Sequence, residues 1–299
     1  MYYFKKEGIP MFPFEDMLHN PFTELPFQVM VLTIVFLFGI CIGSFLNVVI
    51  LRIPKGESVV GIGRSKEEKE KASHCMSCGA KIRWIDLIPV FSWLALRGKC
   101  HSCGAKISPR YPIVEALNGL LYVLTFWVLD INAEAIITCV LMSLLIIVAF
   151  MDWDTREIDM VIVGLIFLLA IPAAIFTDSV ELKHRIIGAL IISVPFFLIG
   201  EISRPFIRKK YGEDFRGIEQ GDTLLMLAAG ALLGTHAIIV STLIGIITCA
   251  LVGVVFLIMK KDVTIPFGPF LSLGIAVGAL WGNEIAQWYI GMIQNAAQV

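Results

Sequence analysis

Two Cys-x-x-Cys pairs carry the clearest chemical signal in the chain. Cys75-Met-Ser-Cys78-Gly79-Ala80-Lys81-Ile82 recurs 25 positions later as Cys100-His-Ser-Cys103-Gly104-Ala105-Lys106-Ile107, with seven of eight residues identical. The 21 residues between the pairs match the ligand spacing of a structural zinc site, in which four thiolates close a tetrahedral shell. A glycine after each pair lets the backbone turn so that its amides point at sulfur, so each octapeptide reads as one half of the site. Two disulfides are the alternative, disfavoured if this segment lies in the reducing cytoplasm. His74 and His101 flank the cysteines and read as loop residues, while Cys41, Cys139 and Cys249 fall in apolar runs as small packing residues.

Two aspartates form the second candidate centre. Asp152 closes one apolar run in Met151-Asp152-Trp153-Asp154-Thr155-Arg156-Glu157-Ile158-Asp159, and Asp222 opens another after Gly221. Ionisable groups at such positions are costly and become functional candidates unless a simple partner explains them. Facing carboxylates repel, so a pair near neutral pH holds one proton and can place a water between a general base and a general acid. Gly221 would let the loop before Asp222 approach an opposite helix. The competing reading makes Asp222 an ordinary helix cap and Asp154, Arg156, Glu157 and Asp159 a solvated turn paired within itself.

The elements that must position these groups are membrane helices. The 299 residues are 57% hydrophobic and 16% charged, with a mean hydropathy of +0.82, far more apolar than an ordinary soluble domain. Apolar runs at 28–51, 113–129, 135–151, 160–176, 186–202, 222–233, 236–259 and 267–290 predict an all-α polytopic integral membrane protein of about eight transmembrane helices, with a small cytoplasmic zinc-ribbon-like insertion. The sixth run is short and shares a turn with its neighbour at Gly234-Thr235-His236. Prolines and acidic residues before the first run argue against a cleaved leader. With Met1 outside, twenty Lys/Arg fall on the inner side and four on the outer, so the basic bias puts both termini outside and the cysteine segment and both aspartates at the cytoplasmic face. The expected division is an extracytoplasmic segment 1–27, a first transmembrane helix 28–52, a cytoplasmic cysteine domain 53–111 and a membrane domain 112–299. Within the cysteine domain, Ser65–Lys71 is a mixed-charge solvated run.

Several motifs in one order resemble the type IV prepilin peptidases: Gly43-Ser-Phe-Leu-Asn47-Val-Val-Ile-Leu-Arg52-Ile-Pro54, Ile88-Pro89-Val-Phe-Ser92-Trp, Arg97-Gly98-Lys99-Cys100, Tyr111-Pro112-Ile-Val-Glu115 and Ile265-Pro266-Phe267-Gly268-Pro269-Phe270. The likeness runs from about Phe38 to Gly282. It implies a membrane aspartyl protease that removes the basic leader of prepilins and pseudopilins after a glycine at the cytoplasmic face of the bacterial inner membrane. By the same resemblance Asp152 and Asp222 match the catalytic aspartates and Cys75, Cys78, Cys100 and Cys103 the zinc ligands. S-adenosylmethionine-dependent methylation of the new N-terminus is also implied by it. No strand-Gly-x-Gly-x-x-Gly-helix unit is visible, and Gly61-Ile-Gly63 alone is a poor nucleotide signal. Ser44 and Asn47, with Cys41 on the same helical stripe, and Arg52 and Glu115 nearby, form a candidate substrate or methyl-transfer face, though polar glue between helices is equally ordinary.

The chain departs from the family pattern at three places. Glu219 stands where the motif before the second aspartate has glycine, Leu224 where a lysine is common, and Asp159-Met160 where Pro-Asp is usual. These bear on loop geometry and substrate preference. Glu157 and Glu219 could attract a basic leader. A transporter would be expected to show inverted repeats or broken helices at mid-membrane, and neither is visible in the sequence. An inactive homologue acting as a pilin-binding scaffold is the runner-up reading. Prepilin substrates and membrane lipid are the expected partners, and nothing suggests a nucleic acid.

Overall fold

The computed structural model describes residues 25–57, 59, 74–177, 179–211, 219–259 and 265–296. The segment before Leu25, Gly61–Gly63, Ser65–Lys71 and the basic residues Arg216, Lys260 and Lys261 lie outside the described residues. Long helices dominate: α1 (Leu25–Arg52), the short α2 (Phe91–Ala95), α3 (Arg110–Leu129), α4 (Ala133–Thr155), α5 (Met160–Leu168), α6 (Ala170–Phe176), α7 (Leu182–Tyr211), α8 (Gln220–Leu233), α9 (Thr235–Ile258) and α10 (Gly268–Ala296). Among the described residues there is no β-strand, only isolated bridges in the cysteine unit. The protein is an all-α polytopic membrane protein.

Every expected apolar run is helical, with differences that have local causes. Five helices are long and apolar enough to cross a membrane: α1, α3, α4, α7 and α9. The run 160–176 is two helices joined at Leu169, because Pro172 has no N–H to donate to Leu168. Helix α8 has only 14 residues, about 21 Å, and ends at Gly234, whose φ of 79° suits a residue without Cβ. The last helix is longer than its apolar run, extending to Ala296.

Close contacts sort the helix ends. Asn47 Nδ2 donates to Tyr111 O (3.1 Å), Arg110 pairs with Asp154, Gly221 packs on Ile158, and Gly268 N–H donates to Asp152 (2.8 Å). The C-terminal ends of α1 and α4 and the N-terminal ends of α3, α8 and α10 therefore share one end of the bundle. At the other end Arg185 at the start of α7 donates to Leu232 O at the close of α8 (2.6 Å). Among the described residues, five of the helices are long enough to span a membrane by length and composition, and α5 with α6 and α8 are shorter apolar helices.

Helix α4 is the central element. In its apolar window 67% of residues are enclosed by protein, against 22% for α1. Leu141 and Met142 of α4 join Leu225 and Met226 of α8, Ile238 of α9 and Leu271 and Ile275 of α10 in one buried core. Gly274, Gly278 and Gly282 of α10 lie against Ala237 and Ser241 of α9, a small-residue stripe that lets two backbones touch where lipid supplies no hydrophobic drive between helices.

Candidate active site and metal centre

Helix α4 delivers Asp152 in its last turn, and the chain then leaves through Arg156, a C-cap with φ 59°. The segment 156–159 is not a turn paired within itself, as the bland reading has it. Asp154 is bound by Arg110 of α3 (2.6 Å), whose guanidinium also lies 5.1 Å from the Phe150 ring, and Asp159 caps α5 by accepting from Val161 and Ile162 N–H. Asp154 and Asp159 went to different helices, while the Glu157 backbone bonds within the turn to the Thr155 hydroxyl. Arg110 and Asp154 thereby anchor the segment two residues beyond Asp152.

Asp152 and Asp222 are both buried, at 6% and 5% relative exposure, and within electrostatic reach of one another. Asp152 Oδ2 accepts from the N–H of Gly268, the first residue of α10. Asp222 Oδ2 accepts from Glu219 N–H (3.1 Å), and the Glu219 side chain accepts from Asp222 N–H, a reciprocal capping box at the start of α8. The capping reading of Asp222 is thus correct for one of its oxygens. Among the described residues the Oδ1 of neither aspartate has a protein partner. Each carboxylate is oriented through one oxygen.

The family departures acquire places. Glu219 is the N-cap of α8, Asp159 the N-cap of α5, and Leu224 points outward from α8. Gly221 makes a close approach, but from within α8 and to the loop residue Ile158, not from a loop to a helix: a Cβ there would lie 2.9 Å from Ile158 Cβ. Gly268 lies at the site against Asp152, and the residue types did not single it out, although the Ile265–Phe270 motif contained it. A Cβ on Gly268 would lie 2.6 Å from Asp152 Oδ2.

The four cysteines converge. Their sulfurs lie within 4.8 Å of one another, with Cys75 and Cys103 Sγ 3.9 Å apart and no disulfide among them. A tetrahedral zinc with ~2.3 Å metal–sulfur bonds has sulfurs about 3.8 Å apart, so the cluster could hold such a metal ion. The two octapeptides fold alike: Cys75 N–H donates to Ala80 O and Cys100 N–H to Ala105 O, with Gly79 and Gly104 both at φ 71°. The N–H groups of Cys78 and Ser77, followed by the Cys100 thiol, pull the Cys75 thiol down to about 6 from its ordinary 9.0. His74 and His101 are not in the cluster.

Part of the expected polar face also assembles. Glu115, buried in α3, accepts from Val90 N–H (2.7 Å) and from the Ser44 hydroxyl, and Asn47 donates to Tyr111 O. Arg52 closes α1 as its last residue. Cys41 is exposed while Asn47, six residues on and about 240° around the helix, is buried, and Ser44 between them is half-buried. Glu115 ties the Val90 segment of the cysteine unit to α3, and Asn47 ties α1 to the start of α3.

Two family models match the chain: the bacterial peptidase A24 N-terminal domain over residues 37–129 and the type IV leader peptidase family over residues 139–254. The chain belongs to the type IV leader peptidase family. Among its relatives, the prepilin leader peptidase/N-methyltransferase of Pseudomonas putida is 30% identical over 270 residues, covering 85% of this chain and 92% of the relative. The type 4 prepilin-like proteins leader peptide-processing enzyme of Escherichia coli is 33% identical over 270 residues, 86% of this chain and 96% of the relative. A further prepilin leader peptidase/N-methyltransferase, from Myxococcus xanthus, is 33% identical over 226 residues, 75% of this chain and 62% of the relative. No solved structure matches. In this leader peptidase the first family model spans the cysteine unit and the second spans both aspartates.

Proposed function

We propose that this leader peptidase hydrolyses prepilin or pseudopilin leaders with Asp152 and Asp222 as the catalytic pair. The observation that carries the reading is two buried carboxylates at one end of the bundle, each held by a backbone N–H through one oxygen. The pair shares one proton. The ionised carboxylate takes a proton from a water as it attacks the scissile carbonyl carbon, while the protonated one donates to the carbonyl oxygen; the proton taken from water then goes to the leaving nitrogen as the C–N bond breaks, and the gem-diol returns its proton to the second carboxylate. A prepilin, with a basic leader followed by an apolar helix, would lay that helix among the spans and bring the junction to the boundary where the pair lies.

The basic bias supports a cytoplasmic position for this end in the bacterial inner membrane, with both termini outside. The described ends of the basic segments, 52–57, 74–110, 156, 204–211 and 259, all lie at the aspartate end of the bundle. We take 1–27, 28–52, 53–111 and 112–299 as the working division of the chain. The thiolates of Cys75, Cys78, Cys100 and Cys103 would hold one structural zinc. N-methyl transfer is supported by the relatives' names, and S-adenosylmethionine is proposed as its methyl donor. The Ser44, Asn47, Arg52 and Glu115 face is proposed for it only as a support, with no cofactor contact assigned. Exposed Glu157 would draw the basic leader. Glu157→Lys should then raise KM for a wild-type leader more than for one with fewer basic residues, and equal effects would remove that role.

Purified protein in detergent should cleave a prepilin, and Asp152→Asn and Asp222→Asn should each abolish cleavage while apparent Tm is kept. Full activity in either variant overturns the mechanism. The scaffold reading requires wild-type protein that binds prepilin without cutting it. Metal analysis should find about one zinc per chain, lost on Cys75→Ser with Cys78→Ser.

A further inference from the structure

The cysteine unit carries an apolar outer face that the metal cluster does not explain. Trp84, Ile85, Leu87, Ile88, Phe91 and Leu94 fall within eleven residues and are all exposed, Trp84 at 77%. They occupy a 3-10 turn (Trp84–Leu87), the Ile88–Val90 link and α2. The same segment has an inner side: Trp93 Nε1 donates to Ile107 O (3.2 Å) and its ring packs on Gly98. So many large apolar side chains on one outer side of a small unit mark an interaction surface.

The tether fixes where that surface lies. Val90 is held with φ 61°, a conformation that a β-branched residue adopts only when its surroundings impose it, and its N–H is bound by Glu115. Glu115 is the sixth residue of α3, its Cα about 7–8 Å along a membrane-spanning helix from the first residue, so its side chain ties Val90 to the first two turns of that helix. Beside Glu115 on α3, Ile113 and Leu117 are exposed in the way of lipid-facing residues. The outer face is therefore continuous in level with a lipid-facing surface. Exposed Lys81 and Arg83 precede it, and exposed Arg97 and Lys99 follow it. A tryptophan and aliphatic side chains flanked by Lys and Arg is the composition of segments that lie in the headgroup boundary.

We infer that residues 84–94 form a monotopic lipid anchor, resting in the headgroup–acyl boundary of an anionic phospholipid leaflet on the aspartate side. The apolar side chains enter the acyl edge and Lys81, Arg97 and Lys99 meet lipid phosphates, while Arg83 is neutralised by its pair with Asp86 (2.8 Å). The anchor holds the metal unit against the membrane at the level of Glu115.

The test uses the full chain in phosphatidylethanolamine–phosphatidylglycerol vesicles whose acyl chains carry bromine either near the headgroup or near the bilayer centre. Trp84 emission is read as the difference between wild type and Trp84→Phe. It should be lost with shallow bromine and retained with deep bromine, and Phe91→Trp in the Trp84→Phe background should restore a component quenched in the same way. Emission that survives both bromine positions would put the face in water and overturn the anchor. Shallow quenching that disappears when a peptide with a basic leader and an apolar helix is added would assign the face to substrate, and would equally overturn it.

Discussion

Gly268→Ala probes the aspartate site without touching either aspartate. Its new methyl carbon would lie 2.6 Å from Asp152 Oδ2, 2.9 Å from Cγ and 3.1 Å from Cβ. Comfortable carbon contacts begin at ~3.5 Å, so the Asp152 side chain must withdraw by roughly 0.5–1 Å. Rotation about Cβ–Cγ gives no escape, because Cγ and Cβ are crowded as well as the oxygen. Withdrawal breaks or lengthens the 2.8 Å bond from Gly268 N–H. A hydrogen bond to a charged group contributes about 1.5–3 kcal/mol, equivalent to about 10–160-fold in rate if it is made in the transition state. Misplacing a catalytic group by about 1 Å costs on the order of 10²-fold, so the two estimates agree. The expected result for prepilin cleavage in detergent is kcat lower by about 10²-fold with KM little changed, because Gly268 positions Asp152 rather than substrate. Gly164→Ala, where a Cβ meets nothing within 4 Å, is the control and should match wild type. A Gly268→Ala enzyme within about twofold of wild-type kcat would refute the claim that this contact sets the Asp152 geometry.

In chelator-treated, reduced protein Cys75 should be alkylated ahead of Cys103 at pH 7, because a thiol titrating at about 6 is already thiolate there and one pushed up to about 11 is not. The lowered value favours the charged form in the folded state, so this reactivity is present above pH 6 and is lost as pH falls through about 6. Peptide mapping against pH measures it, and a midpoint near 9 would contradict the assigned hydrogen bonds. Arg185→Met removes a buried guanidinium from the last carbonyls of α8, Ala231 O and Leu232 O, and should destabilise by about 1.5–3 kcal/mol. An unchanged apparent Tm in detergent would show that these contacts are unimportant. Glu115→Ala should strip Val90 N–H of its acceptor and speed limited proteolysis within residues 74–108, while Glu115→Gln, which can still accept, should be closer to wild type. Equal proteolysis of the two variants would mean that Glu115 does not hold the unit.

Local patterns in the chain determined the helices, the metal unit and the candidate pair. Apolar runs must be helical in lipid, since only a helix satisfies every backbone group within its own segment. Two Cys-x-x-Cys octapeptides carry their turns and ligands within a few residues, so the cluster was readable before its fold was known. Asp152 and Asp222 were visible as charges at the ends of apolar runs, and the basic residues placed both ends on one side. The tertiary structure alone decided what each carboxylate faces. Gly268 is 116 residues from Asp152, and no periodicity relates the two. It also gave Asp154 to Arg110, Glu115 to Val90 and the close of α8 to Arg185. These are contacts between helices packed in lipid, where steric fit and paired polar groups select partners that hydropathy cannot distinguish.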